Sequence, residues 1–188
     1  YLKLEINYSE RLPVLPVGRM PLKLPFSGLD GVFALAYKPE ENFAQKTRAL
    51  LARGTPRDLF DVYLIADRAR PFDTDLYRKI TIFYCLLAPT DLRKLRNDRF
   101  DRLTELDLKR HLLPLLSKKK PRLDLALMKL KARGLAELVL SFSEGERAFL
   151  DAFYDGKRFE RDRLFDSTPV TSDLSGHPMI RFRLGKMG

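Results

Sequence analysis

The period of the hydrophobic pattern changes near residue 39. In "LKLEIN", Leu2, Leu4 and Ile6 alternate with Lys3, Glu5 and Asn7, the two-residue period of a strand with one buried face. Lys3, Glu5 and Asn7 therefore share one face. Residues 11–30 are rich in Pro and Gly and hold short extended pieces such as "LKLPF". "SGLDG" then reads as a turn leading into a strand, "VFALAY". The prolines predict a hairpin or a pair of edge strands rather than a central strand.

From Pro39 the period becomes helical. "PEENFAQKTRALLARG" sets Pro39, Glu40 and Glu41 in a first turn, puts Phe43, Ala44, Ala49, Leu50 and Leu51 among its apolar positions, and ends at Gly54. Thr55 can cap a second helix, with Pro56 in its first position and Asp58 in its third. That helix, over 56–68, is expected to bury Leu59, Val62, Tyr63 and Ile65 or Ala66. Beyond Pro71 the chain reads as helical: "TDLYRKITIFYCLLA", pieces through 91–116, "PRLDLALMKLKARGLAELVL" and "SEGERAFLDAFYDG". In the last, Ser143 and Glu146 form a capping box and Gly156 is the stop. The pattern predicts six or seven helices and an α+β fold, with strands confined to the first 40 residues or so.

Composition narrows the class. At 188 residues and 45% hydrophobic content the chain can bury a core. The single cysteine, Cys85, lies inside "ITIFYCLL", which removes a disulfide framework and a CxxC zinc clip and suits a reducing cytosol. No apolar run of about 18 residues and no secretion signal are present, so a soluble cytoplasmic protein without membrane contact is expected. The chain opens on Tyr1 inside an alternating pattern, which predicts a preceding segment.

Charge changes the picture more. The net charge is +10, and residues 91–133 hold 14 Lys and Arg against 6 acids, which places +8 there. Such a field attracts polyanions, nucleic acid first among them; a solvated basic helical surface is the plain alternative. Lys118, Lys119, Lys120 and Arg122 in "SKKKPR" are the candidate nucleic-acid contacts. Phe100 is the sole aromatic of that region, so contact with a nucleic-acid backbone is expected without a stacking platform.

The candidate chemistry gathers in "QKTRALLARGTPRDLFDVY", residues 45–63. Lys46 and Arg53 lie seven residues apart on one helix face, and Asp58 and Asp61 lie one turn apart on the next helix. A connection of about two residues forces a sharp corner, so Lys46, Arg53, Arg57, Asp58 and Asp61 can come within reach of one another. The plain structural reading makes Asp58 a helix-starting acid and pairs Arg53 or Arg57 with Asp61. The face carrying Lys3, Glu5 and Asn7 is a second candidate, since its carboxylate suits a divalent cation; a solvated strand face is the alternative. His111 and His177 stand far apart with no acid or cysteine at ligand spacing, which argues against zinc. No GxSxG, Walker A, GxGxxG, HExxH or EF-hand pattern occurs.

Taken together, "LKLEI", "FAQKTRALLARGTPRDLFDVYLI", "GERAFLDAFYDGKRFERDRLF" and "LSGHPMIRFRL" resemble the AbiEii-like nucleotidyltransferase toxins of abortive infection and type IV toxin–antitoxin pairs. The most specific part is "K..AL..RG..RD..D", which carries Lys46, Ala49, Leu50, Arg53, Gly54, Arg57, Asp58 and Asp61. The resemblance implies that residues 1–70 are the later part of a nucleotidyltransferase core with a mixed sheet, and that 71–188 form a helical domain. Family members carry a Gly-Gly or Gly-Ser motif and a pair of metal-binding acids ahead of this region; neither precedes Tyr1, so the chain is expected to be the C-terminal portion of such an enzyme. The implied reaction moves a nucleotidyl group from a nucleoside triphosphate to an acceptor and releases pyrophosphate, with Mg2+ neutralising the triphosphate. Glu5 would then be a metal-site carboxylate or an adjacent base, Lys46 would contact phosphate, and Asp58 would orient the reacting groups or the lysine. Arg53, Arg57, Asp61 and Lys3 would support nucleotide binding, with Lys3 able to take the phosphate role in place of Lys46. The implied acceptor is the 3' end of tRNA or another RNA, and the implied partner is a cognate antitoxin in a phage-defence pair. A non-enzymatic basic helical module that binds RNA or a partner protein is the competing reading.

Overall fold

The structure is a computed structural model, and it describes residues 12–22, 31–68, 71–96, 98–116, 123–166, 168, 170 and 173–186. The "LKLEIN" face with Lys3 and Glu5, and the "SKKKPR" segment with Lys118, Lys119, Lys120 and Arg122, lie outside the described residues.

The fold is α+β. Strands β1 (Gly18–Pro21) and β2 (Phe33–Ala36) pair antiparallel, with Gly18 opposite Ala36 and Pro21 opposite Phe33. Pro21, which has no N–H to give, ends its strand, and the antiparallel pair is the hairpin that the prolines predicted in place of a central strand. Eight α-helices follow among the described residues: α1 (Pro39–Arg53), α2 (Pro56–Arg68), α3 (Thr74–Leu86), α4 (Glu105–His111), α5 (Leu125–Leu140), α6 (Glu144–Tyr154), α7 (Arg161–Phe165) and α8 (Pro178–Lys186). Short 3-10 turns occupy Leu92–Lys94, Leu113–Leu115 and Leu174–Gly176. The helix total exceeds the expectation because the five-residue α7 and the α8 segment "PMIRFRLGK" carry little amphipathic pattern.

Helix ends follow local chemistry. Thr104 with Asp107 and Ser143 with Glu146 form reciprocal capping boxes at α4 and α6, and Asp73 and Asp124 cap α3 and α5. After α6 the left-handed residue is Lys157, with φ 51°, rather than Gly156. Gly156 is needed for another reason: a Cβ there would sit 2.8 Å from the carbonyl oxygen of Ala152.

Helix α3 is the hub. Every residue from Ile80 to Leu87 is buried, so its apolar character all round has partners on every side. Helix α1 packs on α3, and α2 packs on α5. The hydrophobic cluster includes Leu50, Leu51, Leu59 and Val62 from the first two helices, Phe83 and Leu86 from α3, and Phe149, Phe153 and Phe165 further on. Cys85 is inside it, with burial pushing its thiol up to about 12, so it is no nucleophile at neutral pH.

Buried polar groups fix α1 in place. Glu41 is fully buried; it accepts the backbone N–H of Val14 at 2.7 Å and of Leu15 at 2.9 Å, and the Tyr84 hydroxyl at 2.5 Å. One carboxylate thereby ties the chain ahead of the hairpin to α1 and α3. Thr47 and Tyr77 share a second buried bond at 2.7 Å. Losing such an acceptor strands buried donors, at about 1–3 kcal/mol.

Candidate active site at the corner of the first two helices

Helix α1 stops at Gly54, whose φ of 61° lies in the left-handed region and whose N–H closes on the carbonyl of Leu50. Only glycine fits comfortably, because a Cβ would also stand 3.2 Å from the backbone of Arg99. Arg99 in turn donates from its guanidinium to the carbonyl of Ala52 at 2.7 Å, satisfying an end-of-helix acceptor. The corner is therefore clamped from outside by the turn at 98–101. Thr55 starts α2: its hydroxyl donates to Asp58 at 2.7 Å, and the two residues exchange longer backbone contacts of 3.4 Å. An interaction of this kind at a helix start contributes about 1 kcal/mol.

The corner brings five charged side chains of the predicted motif onto one cleft of about 690 Å3. Lys46, Arg53, Arg57, Asp58 and Asp61 all line it. Asp58 is buried, and Arg53 grips it through two bonds, Nε at 3.2 Å and a terminal nitrogen at 2.5 Å. Lys46 reaches Asp61 at 2.7 Å. The expected pairing of Arg53 or Arg57 with Asp61 is thus replaced by a different one. Counting outward from the corner, the nearest cation on α1 meets the nearest carboxylate on α2, and the farther two meet each other. Arg57 is exposed and makes no side-chain hydrogen bond or ion pair among the described residues.

The far wall of the cleft is apolar. Leu112, Leu115 and Leu116 form it, with Phe60 and Ala49 between them and the charges. Nothing in the sequence reading marked these leucines as part of a site. The run "HLLPLL" has neither helical nor strand period, so its exposed members cannot be told from its buried ones.

The rest of the basic region divides in two. Arg93 is held by Asp91, Asp151 and Asp155, Lys131 by Asp67, Arg133 by Asp101, and Lys129 by the carbonyls of Asp101 and Leu103. Lys94, Arg96, Arg102, Lys109 and Arg110 carry no side-chain hydrogen bond or ion pair among the described residues. His177 is not near the cleft residues in its contacts: it is fully buried, packs edge-on to Phe83, and accepts the Met179 N–H at Nδ1. Burial lowers its pKa.

Among the described residues no group of three or more His, Cys, Asp or Glu side chains is placed to hold a metal ion. Within the cleft, both oxygens of Asp58 are taken by Arg53 and Thr55, and Asp61 is taken by Lys46. These two carboxylates do not make a metal site as they stand.

A family model described as nucleotidyl transferase AbiEii toxin, type IV TA system, matches residues 1–133. The chain belongs to that family. The AbiEii match contains the whole motif from Lys46 to Asp61 and the leucine wall, and it ends before α6, so the segment around His177 lies beyond it. No curated protein and no solved structure matches the chain. AbiEii proteins are nucleotidyltransferase toxins of type IV toxin–antitoxin systems, which implies a cognate antitoxin as partner. Among the described residues no helix is long and apolar enough to cross a membrane.

Proposed function

We propose that this chain is part of an enzyme that transfers a nucleotidyl group from a nucleoside triphosphate to the 3' end of an RNA, tRNA first among the candidates, in the cytoplasm and as part of a phage-defence pair. The observation that carries the reading is the cleft itself. Three cations, Lys46, Arg53 and Arg57, stand there with two carboxylates, inside the segment that the family model matches.

Arg57, with no carboxylate partner among the described residues, is the guanidinium ready for a phosphate, and its planar fork suits paired phosphate oxygens. Lys46 can exchange Asp61 for a phosphate at small cost, because both members of that pair are partly exposed and solvent screens their attraction. Asp58 acts as a positioning residue: buried and bonded by Thr55, it holds the Arg53 guanidinium in one orientation. Lys3 and Glu5 lie outside the described residues; the reading gives Lys3 a part in nucleotide binding and rests its Mg2+ on Glu5. The unpaired Lys94, Arg96, Arg102, Lys109 and Arg110, with Lys118, Lys119, Lys120 and Arg122, supply contacts to an acceptor backbone. Residues 1–70 then carry the transfer machinery and 71–188 the acceptor-binding part.

The test incubates the full chain with Mg2+, each labelled nucleoside triphosphate and total tRNA, and follows label into RNA. Label on the 3' end, lost with Lys46→Ala and with Asp58→Ala, is expected. Undiminished labelling in both variants would remove the cleft from the chemistry. Binding of tRNA by the chain without any labelling would favour the non-enzymatic reading instead.

A further inference from the structure

Arg53 is the last residue of α1, and the last turn of a helix is where carbonyls run out of intrahelical partners. Its side chain is 64% exposed and must still meet the buried Asp58 across the corner. Asp58 fixes one end of that arrangement, and Arg99, from outside the motif, fixes the other. The Arg99 guanidinium donates to the carbonyl of Ala52 at 2.7 Å. Its backbone also stands so close to Gly54 that a Cβ on the glycine would come within 3.2 Å of it. The residues on either side of Arg53 are thus both held by Arg99. The turn that carries Arg99 is secured in its own right. Phe100 is 1% exposed and anchored in the core, and the Asp101 N–H closes on the carbonyl of Asp98 at 2.9 Å. From α5, Lys129 donates to the carbonyls of Asp101 and Leu103, and Arg133 donates to the Asp101 carboxylate at 2.6 Å. An exposed side chain on a turn held from two sides suits the task of holding another group in place.

On the reading of the corner as a transfer site, on which this inference rests, we infer that Arg99 is a positioning residue of the reaction and acts through Arg53. By occupying the Ala52 carbonyl it keeps the final turn of α1 wound, and with it the direction in which Arg53 leaves the helix for Asp58. Arg99 does not line the cleft, so the first contacts with phosphate belong to Lys46 and Arg57. Loss of Arg99 therefore spares ground-state binding and slows the step for which Arg53 must be oriented. A displacement on the order of 1 Å at a reacting centre costs up to about 100-fold in rate. A merely structural role has a different signature: a lowered Tm, and a loss of transfer that adds to the loss from Arg53→Ala.

The experiment is a double-mutant cycle on the full chain: parent, Arg53→Ala, Arg99→Ala and the double variant, with Arg99→Lys added because it keeps a donor for the Ala52 carbonyl. Transfer to total tRNA, the KM for triphosphate and Tm are measured for each. Arg99→Ala is expected to lower kcat about ten-fold, with KM within about two-fold of the parent's and Tm within about 2 °C. Added to Arg53→Ala it should cost nothing further, and Arg99→Lys should recover most of the loss. Additive losses, or a loss confined to KM, overturn the route through Arg53. A 15N–1H spectrum gives a readout that needs no turnover. The Arg53 Nε–H, which donates to Asp58 at 3.2 Å, is assigned by its disappearance in Arg53→Ala. It should move toward the position of a solvated arginine in Arg99→Ala and stay in place in Arg99→Lys. An Arg53 Nε–H that ignores Arg99→Ala overturns the positioning role whether or not the chain transfers nucleotide. Absence of transfer in the parent counts against the functional reading and not against the coupling of Arg99 to Arg53, which the spectrum decides.

Discussion

Two clusters of acid and arginine in this molecule look alike in sequence and differ in what they leave over. Around Arg93, three carboxylates from Asp91, Asp151 and Asp155 surround one guanidinium, which also lies 5.1 Å over the Tyr154 ring. The Asp155 and Asp91 bonds stabilise the cation and raise the Arg93 pKa. The cation's donors are spent on tying the Leu92–Lys94 turn to α6. At the corner of α1 and α2 the balance is reversed: three cations face two carboxylates, Arg57 is left over, and the charges open on a cleft with an apolar far side. A saturated cluster is a fastener, whereas a cluster with surplus charge beside a cavity can take a ligand.

The comparison breaks most sharply under crossed substitutions. Arg57→Ala or Lys46→Ala should lower nucleotidyl transfer by about 100-fold or more, the scale seen when one preorganised cation or donor is lost, with little change in Tm. Arg93→Ala should do the opposite, leaving transfer intact and lowering stability by about 1 kcal/mol, since two of its three partners, Asp151 and Asp155, are largely solvated. Equal effects of the two kinds of substitution on transfer would erase the distinction. Gly54→Ala tests whether the corner geometry matters: the left-handed φ and the Arg99 backbone at 3.2 Å should cost about 2 kcal/mol. Transfer should fall along with stability, because Arg53 and Asp58 meet across that residue. A Gly54→Ala protein as stable as the parent contradicts the clamp.

His177 sharpens the contrast from the other side, as a core group with one ring nitrogen paired and the other not. Among the described residues its buried Nε2 has no hydrogen-bond partner, and desolvation disfavours the charged ring. The unfolded chain takes up the proton near pH 6.5 and the folded chain only below that. The stability this group confers is thus fully present above about pH 6.5 and is lost as pH falls toward the folded value. Thermal melts between pH 5.5 and 7.5 should show this loss in the parent and a flatter profile in His177→Asn, which keeps an acceptor for the Met179 N–H. Superimposable profiles would contradict a buried neutral histidine. Surplus hydrogen-bonding capacity thus carries a cost in the core and serves a ligand at a cleft.

Much of this was legible in the chain because it is local. The stops and starts at Gly54, Thr55, Pro56, Ser143 and Glu146 depend on neighbours within a few residues, so the corner that gathers Lys46, Arg53, Arg57, Asp58 and Asp61 followed from spacing alone. The pairing across the corner did not. Arg53 and Asp61 are both at helical spacing from the turn, but each residue advances about 1.5 Å along a helix. Asp58 therefore lies about one turn nearer to Arg53 than Asp61 does, a difference that decides the partner. The leucine wall was illegible for a different reason: it comes from residues some 50 positions away, placed by the packing of α4 against α2, and no local period encodes that contact.

On the proposed function, the surplus cation of the α1–α2 corner is there for phosphate. The most direct measurement is the affinity of the full chain for a nucleoside triphosphate in Mg2+, compared between the parent, Arg57→Ala and Arg93→Ala. Equal affinity is expected for the parent and Arg93→Ala, with a loss of ten-fold or more for Arg57→Ala. Equal affinity in all three, or a loss confined to Arg93→Ala, would contradict it.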